Sequence, residues 1–461
     1  MYRKPYFSRR SFACVLIYQL LVFSVNAQDN AIYSFQQDDT LVRKGYLEQS
    51  LKKKEDVIKN SDKTFASDFK KVYQEQFEEI AGLWKSGRVV TAPAVHQYLQ
   101  SIVQEIISRN PPLANIDARI VFSRDWWPNA YSMGDGSIAV NAGLFVYFNN
   151  EAELAFVICH ELAHYYLDHS GKAIRKYVET INSTAYQSEL KRLSTTEFRK
   201  NTQLDSLSLN NIFSRRRHMR ANEAEADRFA FSLLKNTKFS TEGIRSCLQL
   251  LDSIDNATLF QPLKLEQVFH FNEYPFRKKW VQKESMIFSE MDQKESEDKR
   301  TDSLKTHPDC RLRIEMLQDS IAQTAGAGTS FVVDRNIFHK LKTEFHYEIA
   351  EQCYRDEQLS RNLYYNLLLL QSPQYRRTAV FSIARCLNLI YDKQKDHKAG
   401  LAIEKETPGY PAEYNLLLRM LDRLRLEEIA NINYHFCSYY AAEMKDYPGF
   451  VKEGQKAQVR K

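Results

Sequence analysis

The sequence predicts an α+β chain that is mostly helical, with a small sheet in its first two thirds and an all-α part at its end. Three observations carry this. Residues 62–110 and 338–449 repeat apolar side chains at three- and four-residue steps, the helical period. Two short strand-like runs, residues 118–123 and 137–141, lie between those stretches. Soon after the second, residues 149–170 read NNEAELAFVICHELAHYYLDHS, an apolar helix with H-E-x-x-H at its centre.

Taken in order, residues 1–27 read as a secretory signal peptide. They have a basic start, an apolar run from Phe12 to Val25 and a small-residue cleavage site at Val25-Asn26-Ala27. Cleavage makes the chain an exported, periplasmic protein; a retained leader would make it membrane-associated. Arg9-Arg10 also fits, weakly, a twin-arginine signal. No later segment reaches the roughly 18–20 apolar residues of a membrane helix. The net charge of +6 is partly the leader's: without it, 60 basic residues face 58 acidic ones, which gives no reason to expect nucleic acid as a partner. The six cysteines beyond the leader are widely spaced and without a C-x-x-C, so isolated thiols are the simpler reading than disulfides or a cysteine metal site.

Residues 28–64 are a polar lead-in, flexible or helical. Pro111-Pro112 closes the helical stretch that follows, and the strand at 118–123 comes next. Glycines 134 and 136 mark a turn before the strand at 137–141. That second strand is expected either as one arm of a hairpin or as a sheet edge to which an extended peptide adds. In the helix after it, Asn150 is the expected N-cap, Glu153 the capping-box partner and Gly171 the stop. Residues 170–221 are polar, and their basic run at 215–220 reads as a solvated face. A second helix, ANEAEADRFAF, covers 221–231. Pro308 suits the first turn of a helix, which puts His307 at its mouth. Residues 324–330, TAGAGTS, are an expected linker. The helical part, 331–461, is either a set of degenerate tetratricopeptide-like repeats or a plain bundle, with the last dozen residues a frayed tail.

On a helix, His160 and His164 are i and i+4 and share one face. Two imidazoles so placed can grip one Zn²⁺. Glu161, turned about 100° from His160, does not share that ligating direction but can reach a water acidified by the metal, as a general base. A catalytic zinc needs a third protein ligand, and Glu223 on the second helix fits. Asp227, one turn further, can accept the free imidazole N–H of a ligating histidine. Glu225 reads as a surface residue.

The ordered pieces PNAY at 128–131, GSIAVNAGL at 136–144, NEAELAFVICHELAH at 150–164, ExxxD at 223–227 and HPxxxxRI at 307–314 resemble the HtpX/BepA-like zinc metallopeptidases. This gluzincin family also contains the CAAX prenyl endopeptidase. The resemblance implies a zincin-type domain over 65–323 and one Zn²⁺ per chain, held by His160, His164 and Glu223. It implies Glu161 as catalytic base, Asp227 behind a ligand, and His307 and Arg313 near the metal and the oxyanion. Asn129 falls at a position near the active site, and Gly136, Ser137, Ile138, Ala139, Val140 and Asn141 would hold the substrate backbone. The implied activity is endoproteolysis of envelope or misfolded polypeptides. A second reading is an envelope chaperone or scaffold whose C-terminal helices bind a protein partner. Many relatives carry several membrane helices, so this chain resembles the soluble, exported branch. Glu223 follows His164 by 59 positions, further than in aminopeptidase-type zincins.

Overall fold

The computed structural model describes residues 32–194, 220–255, 263–282, 310–374, 376–407 and 409–461. The signal-peptide expectation at 1–27, the basic run at 215–219 and His307 lie outside the described residues. The chain divides into two compact units: Gln36–Leu259 with Asp302–Ile349, and the remainder. No described helix is long and apolar enough to cross a membrane. All six described cysteines are buried, free thiols.

The first unit opens on three helices, α1 Thr40–Asn60, α2 Ala66–Lys85 and α3 Pro93–Ser108. Part of the lead-in is thus a regular helix: Asp39 caps it, and it packs along α2. Four strands accompany them, β1 Val89–Val90 between α2 and α3, then β2 Arg119–Ser123, β3 Ala130–Ser132 and β4 Ser137–Asn141. Their spatial order is β1-β2-β4-β3. β2 and β4 run parallel with Arg119 opposite Ser137, and both are buried throughout, as parallel strands with two covered faces must be. The chain enters β4 through Gly136 at φ +99°, where a Cβ would stand 2.1 Å from the Asp117 carbonyl oxygen; only glycine fits.

This order corrects one expectation. Residues 136–141 are not a sheet edge, because β4 is paired with β2 on one side and with β3 on the other. Its backbone groups are already used, so no peptide can add there. The edges are β1 and β3, the latter being the other arm of the hairpin.

α4, Glu151–Tyr166, carries the H-E-x-x-H motif. Asn150 caps it by accepting the Glu153 N–H at 3.1 Å, and the Glu153 carboxylate accepts the Asn149 N–H at 2.7 Å. The helix ends before Gly171: Asp168 takes a left-handed φ of +55°, and α5, His169–Asn182, restarts at once. α6 is Thr184–Ser194, α7 spans 220–234, α8 is Glu242–Asp255, α9 Cys310–Gln323 and α10 Arg335–Arg355. α8 packs on both α4 and α9. The start of α4 is tied to the segment before α10. Buried Glu151 accepts the backbone N–H groups of Val332, Val333 and Asp334 at 2.7, 2.8 and 2.8 Å, and the Tyr98 hydroxyl at 2.9 Å. The stretch 324–330 is no free linker: Thr329 bridges to Phe239, and Ser330 accepts the Ala152 N–H.

The second unit contains α11 Leu359–Leu369, α12 Arg376–Lys395, α13 Ala412–Arg423, α14 Leu426–Tyr440 and α15 Pro448–Arg460. α12 packs against α11, α14 and α15. In a solenoid each repeat touches only its neighbours, so the α12–α15 contact favours a bundle over tetratricopeptide-like stacking. The expected frayed tail is α15, started by Pro448, anchored by buried Phe450 and Ala457, and bonded through Arg460 to Asn388 and Asp392.

One titration expectation arises from this fold. Burial, aided by Lys342, lowers the His346 pKa to about 4. The folded state therefore holds the neutral ring, and the unfolded chain binds the extra proton below about 6.5. The stability this contributes is complete above that value and is lost as pH falls toward 4. His346→Gln is expected to flatten the pH dependence of urea unfolding between pH 6.5 and 4.5 by roughly 2 kcal/mol. Parallel curves for the two proteins would refute it.

Candidate metal centre

α4 places His160 and His164 one turn apart, with their Nε2 atoms 3.1 Å from each other. α7 brings Glu223 across from them: its Oε2 is 3.3 Å from His160 Nε2, and its Oε1 is 3.3 Å from His164 Nε2. Ligand atoms at 2.0–2.1 Å around a tetrahedral ion stand about 3.3–3.4 Å apart. Each imidazole stands at about that spacing from the other and from one Glu223 oxygen, and the three residues form the one metal-capable cluster among the described residues. Three lone-pair donors converging on a point repel one another unless a cation sits between them. Electrostatics says the same. Burial alone would lower the His160 pKa, but Asp227 and Glu223 reverse this and raise it to about 10. Burial would raise Glu223, yet the two histidines and Arg313 hold it far below the carboxylate range. The residues present therefore fit a divalent metal.

Behind the donors, Asp227 Oδ1 lies 2.9 Å from His160 Nδ1. Arg313 on α9 donates to both Asp227 oxygens, from Nε at 2.6 Å and from Nη2 at 2.7 Å. Its Nη1 stands 3.7 Å from Glu223 Oε2. Buried and bidentate, Arg313 braces the ligand array through Nε and Nη2, while its Nη1 has no hydrogen-bond partner among the described residues. Against the opposing effect of burial, Arg313 and His160 hold Asp227 down at about 2.

Glu161 is buried, and burial raises its pKa, while the two histidines pull it down. The Ser132 backbone, on edge strand β3, lowers it further. Asn129 is half-buried just before that strand, and its carbonyl accepts the Asn141 N–H at 2.9 Å.

Two residues at the site were not foreseen. His169 Nδ1 lies 2.8 Å from His164 Nδ1, and His169 Nε2 lies 3.1 Å from Glu225 Oε2. On an unbroken helix, position 169 would point about 140° away from position 164. The left-handed Asp168 turns it back. Its burial lowers its pKa, against the pull of Glu225. A histidine just past the motif in LDHS was the visible signal, but the turn that makes it useful was not.

Residues 93–321 match Peptidase family M48. The chain is 25% identical over 162 residues to a candidate beta-barrel assembly-enhancing protease of Vibrio cholerae, covering 34% of this chain and 32% of that protein. It is 32% identical over 134 residues to metalloprotease YcaL of Escherichia coli, covering 28% of this chain and 48% of the relative. The chain thus spans less than half the length of either relative.

Proposed function

This chain belongs to peptidase family M48 through residues 93–321, and from that premise we propose that it is a zinc-dependent endopeptidase of exported polypeptides, envelope or misfolded proteins among them. His160, His164 and Glu223 hold one Zn²⁺ per chain. The observation that carries the reading is the convergence of the three side chains: 3.1 Å between the imidazole Nε2 atoms and 3.3 Å from each to an oxygen of Glu223. When bound there, zinc supplies a Lewis acid that acidifies water and polarises a carbonyl.

The chain's own groups do the rest. Glu161, adjacent in sequence to the ligand His160, takes a proton from the attacking water and returns it to the leaving amine. Its raised pKa suits both halves of that exchange. The substrate backbone adds to edge strand β3, which lies beside the Glu161 helix. Asp227, braced by Arg313, fixes the His160 tautomer. The donor for the oxyanion is Arg313, through the Nη1 that Asp227 leaves free, or His307, three positions before α9 in the sequence.

Metal removal tests this. The purified protein is expected to contain one zinc per chain and to cleave casein. 1,10-Phenanthroline should abolish cleavage, and stoichiometric zinc should restore it. Zinc-loaded protein that leaves unfolded polypeptides intact would sink the proposal, as would cleavage that survives complete zinc removal.

A further inference from the structure

The two histidines of the site are supported differently. His160 leans directly on a carboxylate, with Asp227 2.9 Å from its Nδ1. Among the described residues no carboxylate stands directly behind His164. Its Nδ1 instead meets Nδ1 of a buried third imidazole, His169, at 2.8 Å, and only beyond that ring comes a carboxylate, Glu225, at 3.1 Å.

The proton positions in this row follow from chemistry. A ligating His164 offers the lone pair of Nε2, so its Nδ1 carries the hydrogen. His169 Nδ1 must then accept, which leaves its own hydrogen on Nε2, and that hydrogen is donated to Glu225. Every bond in the row has one donor and one acceptor, and both rings are neutral. Should His169 hold its hydrogen on Nδ1, two N–H groups would collide at 2.8 Å.

We propose that His169, with Glu225 behind it, is the positioning residue for His164: it fixes the tautomer and ring plane in which Nε2 faces Glu223 and His160. The proposal rests on the metal-site reading above. The left-handed turn at Asp168 is what allows it, since it carries the chain from Tyr166 back over the outer edge of His164. Glu225 thereby has a task that its half-exposed side chain conceals.

The test measures zinc affinity by competition with a chelator, using the full chain. His169→Phe keeps a ring but removes the acceptor, and is expected to weaken zinc binding about 10–100-fold, as loss of such outer partners does. His169→Asn returns an acceptor oxygen close to the position of Nδ1 and should stay within about threefold of the parent protein. Exposed Glu225→Ala, which threatens no core packing, should cost several-fold. The melting temperatures of the metal-free proteins separate a folding defect from a positioning one. Equal zinc affinity in the parent and Glu225→Ala proteins, together with Phe and Asn variants that behave alike, overturns the proposal. A parent protein that binds no zinc overturns the metal-site reading as well, so the two failures are distinct.

Discussion

Glu161→Gln is expected to leave zinc at one per chain and to lower kcat/KM for casein or a fluorogenic peptide by about a thousandfold, within the range assigned to general acid–base groups. Gln has the shape of Glu, so it fits the same buried place. What it lacks is the capacity to take up a proton. Nor is Glu161 one of the three converging donors, so metal content should not follow activity down. Glu161→Asp makes a sharper comparison, because it keeps the base but withdraws it by one methylene; an intermediate loss is expected. Less than a tenfold loss in the Gln variant would remove Glu161 from the proton-transfer step. Loss of zinc along with activity would instead mean that the side chain helps to build the site.

How much of this was legible beforehand depended on how local each feature is. The pairing of His160 with His164 needs only one helical turn, and it was visible. Glu223 lies on another helix and was reached through the chemistry of zinc, which demands a third ligand. Sheet order is not local. β3 is three residues long, too short to announce itself, yet it occupies one side of β4 and leaves the true edge elsewhere. The bidentate grip of Arg313 on Asp227 joins two helices far apart in sequence, and no spacing rule reaches across that gap. His169 was hidden by a single backbone torsion at Asp168. The last helix was hidden by polarity: only Phe450, Glu453 and Ala457 of α15 are buried, too few to outweigh its charged remainder.

Glu151→Ala should be the most costly change to the fold, at about 3–5 kcal/mol, the range for breaking a buried charge away from its partners. The carboxylate is fully buried and accepts four hydrogen bonds, three from consecutive backbone N–H groups at 332–334 and one from Tyr98. It also sits in the first turn of α4, where negative charge offsets the helix dipole. Alanine strands all four donors in the interior. Each is a group that water can no longer reach, and that penalty, more than the lost attraction, sets the size of the effect. Gln is no full remedy, because its NH₂ would point at N–H donors; about half the loss is expected to remain. Urea unfolding reads both numbers. His160 lies nine residues further along, about 14 Å up the helix, so the folded fraction of either variant should bind zinc within a few-fold of the parent. A mild Ala variant, below about 1 kcal/mol, would mean that the 332–334 segment rearranges to reach water and that α4 is held by its apolar packing alone.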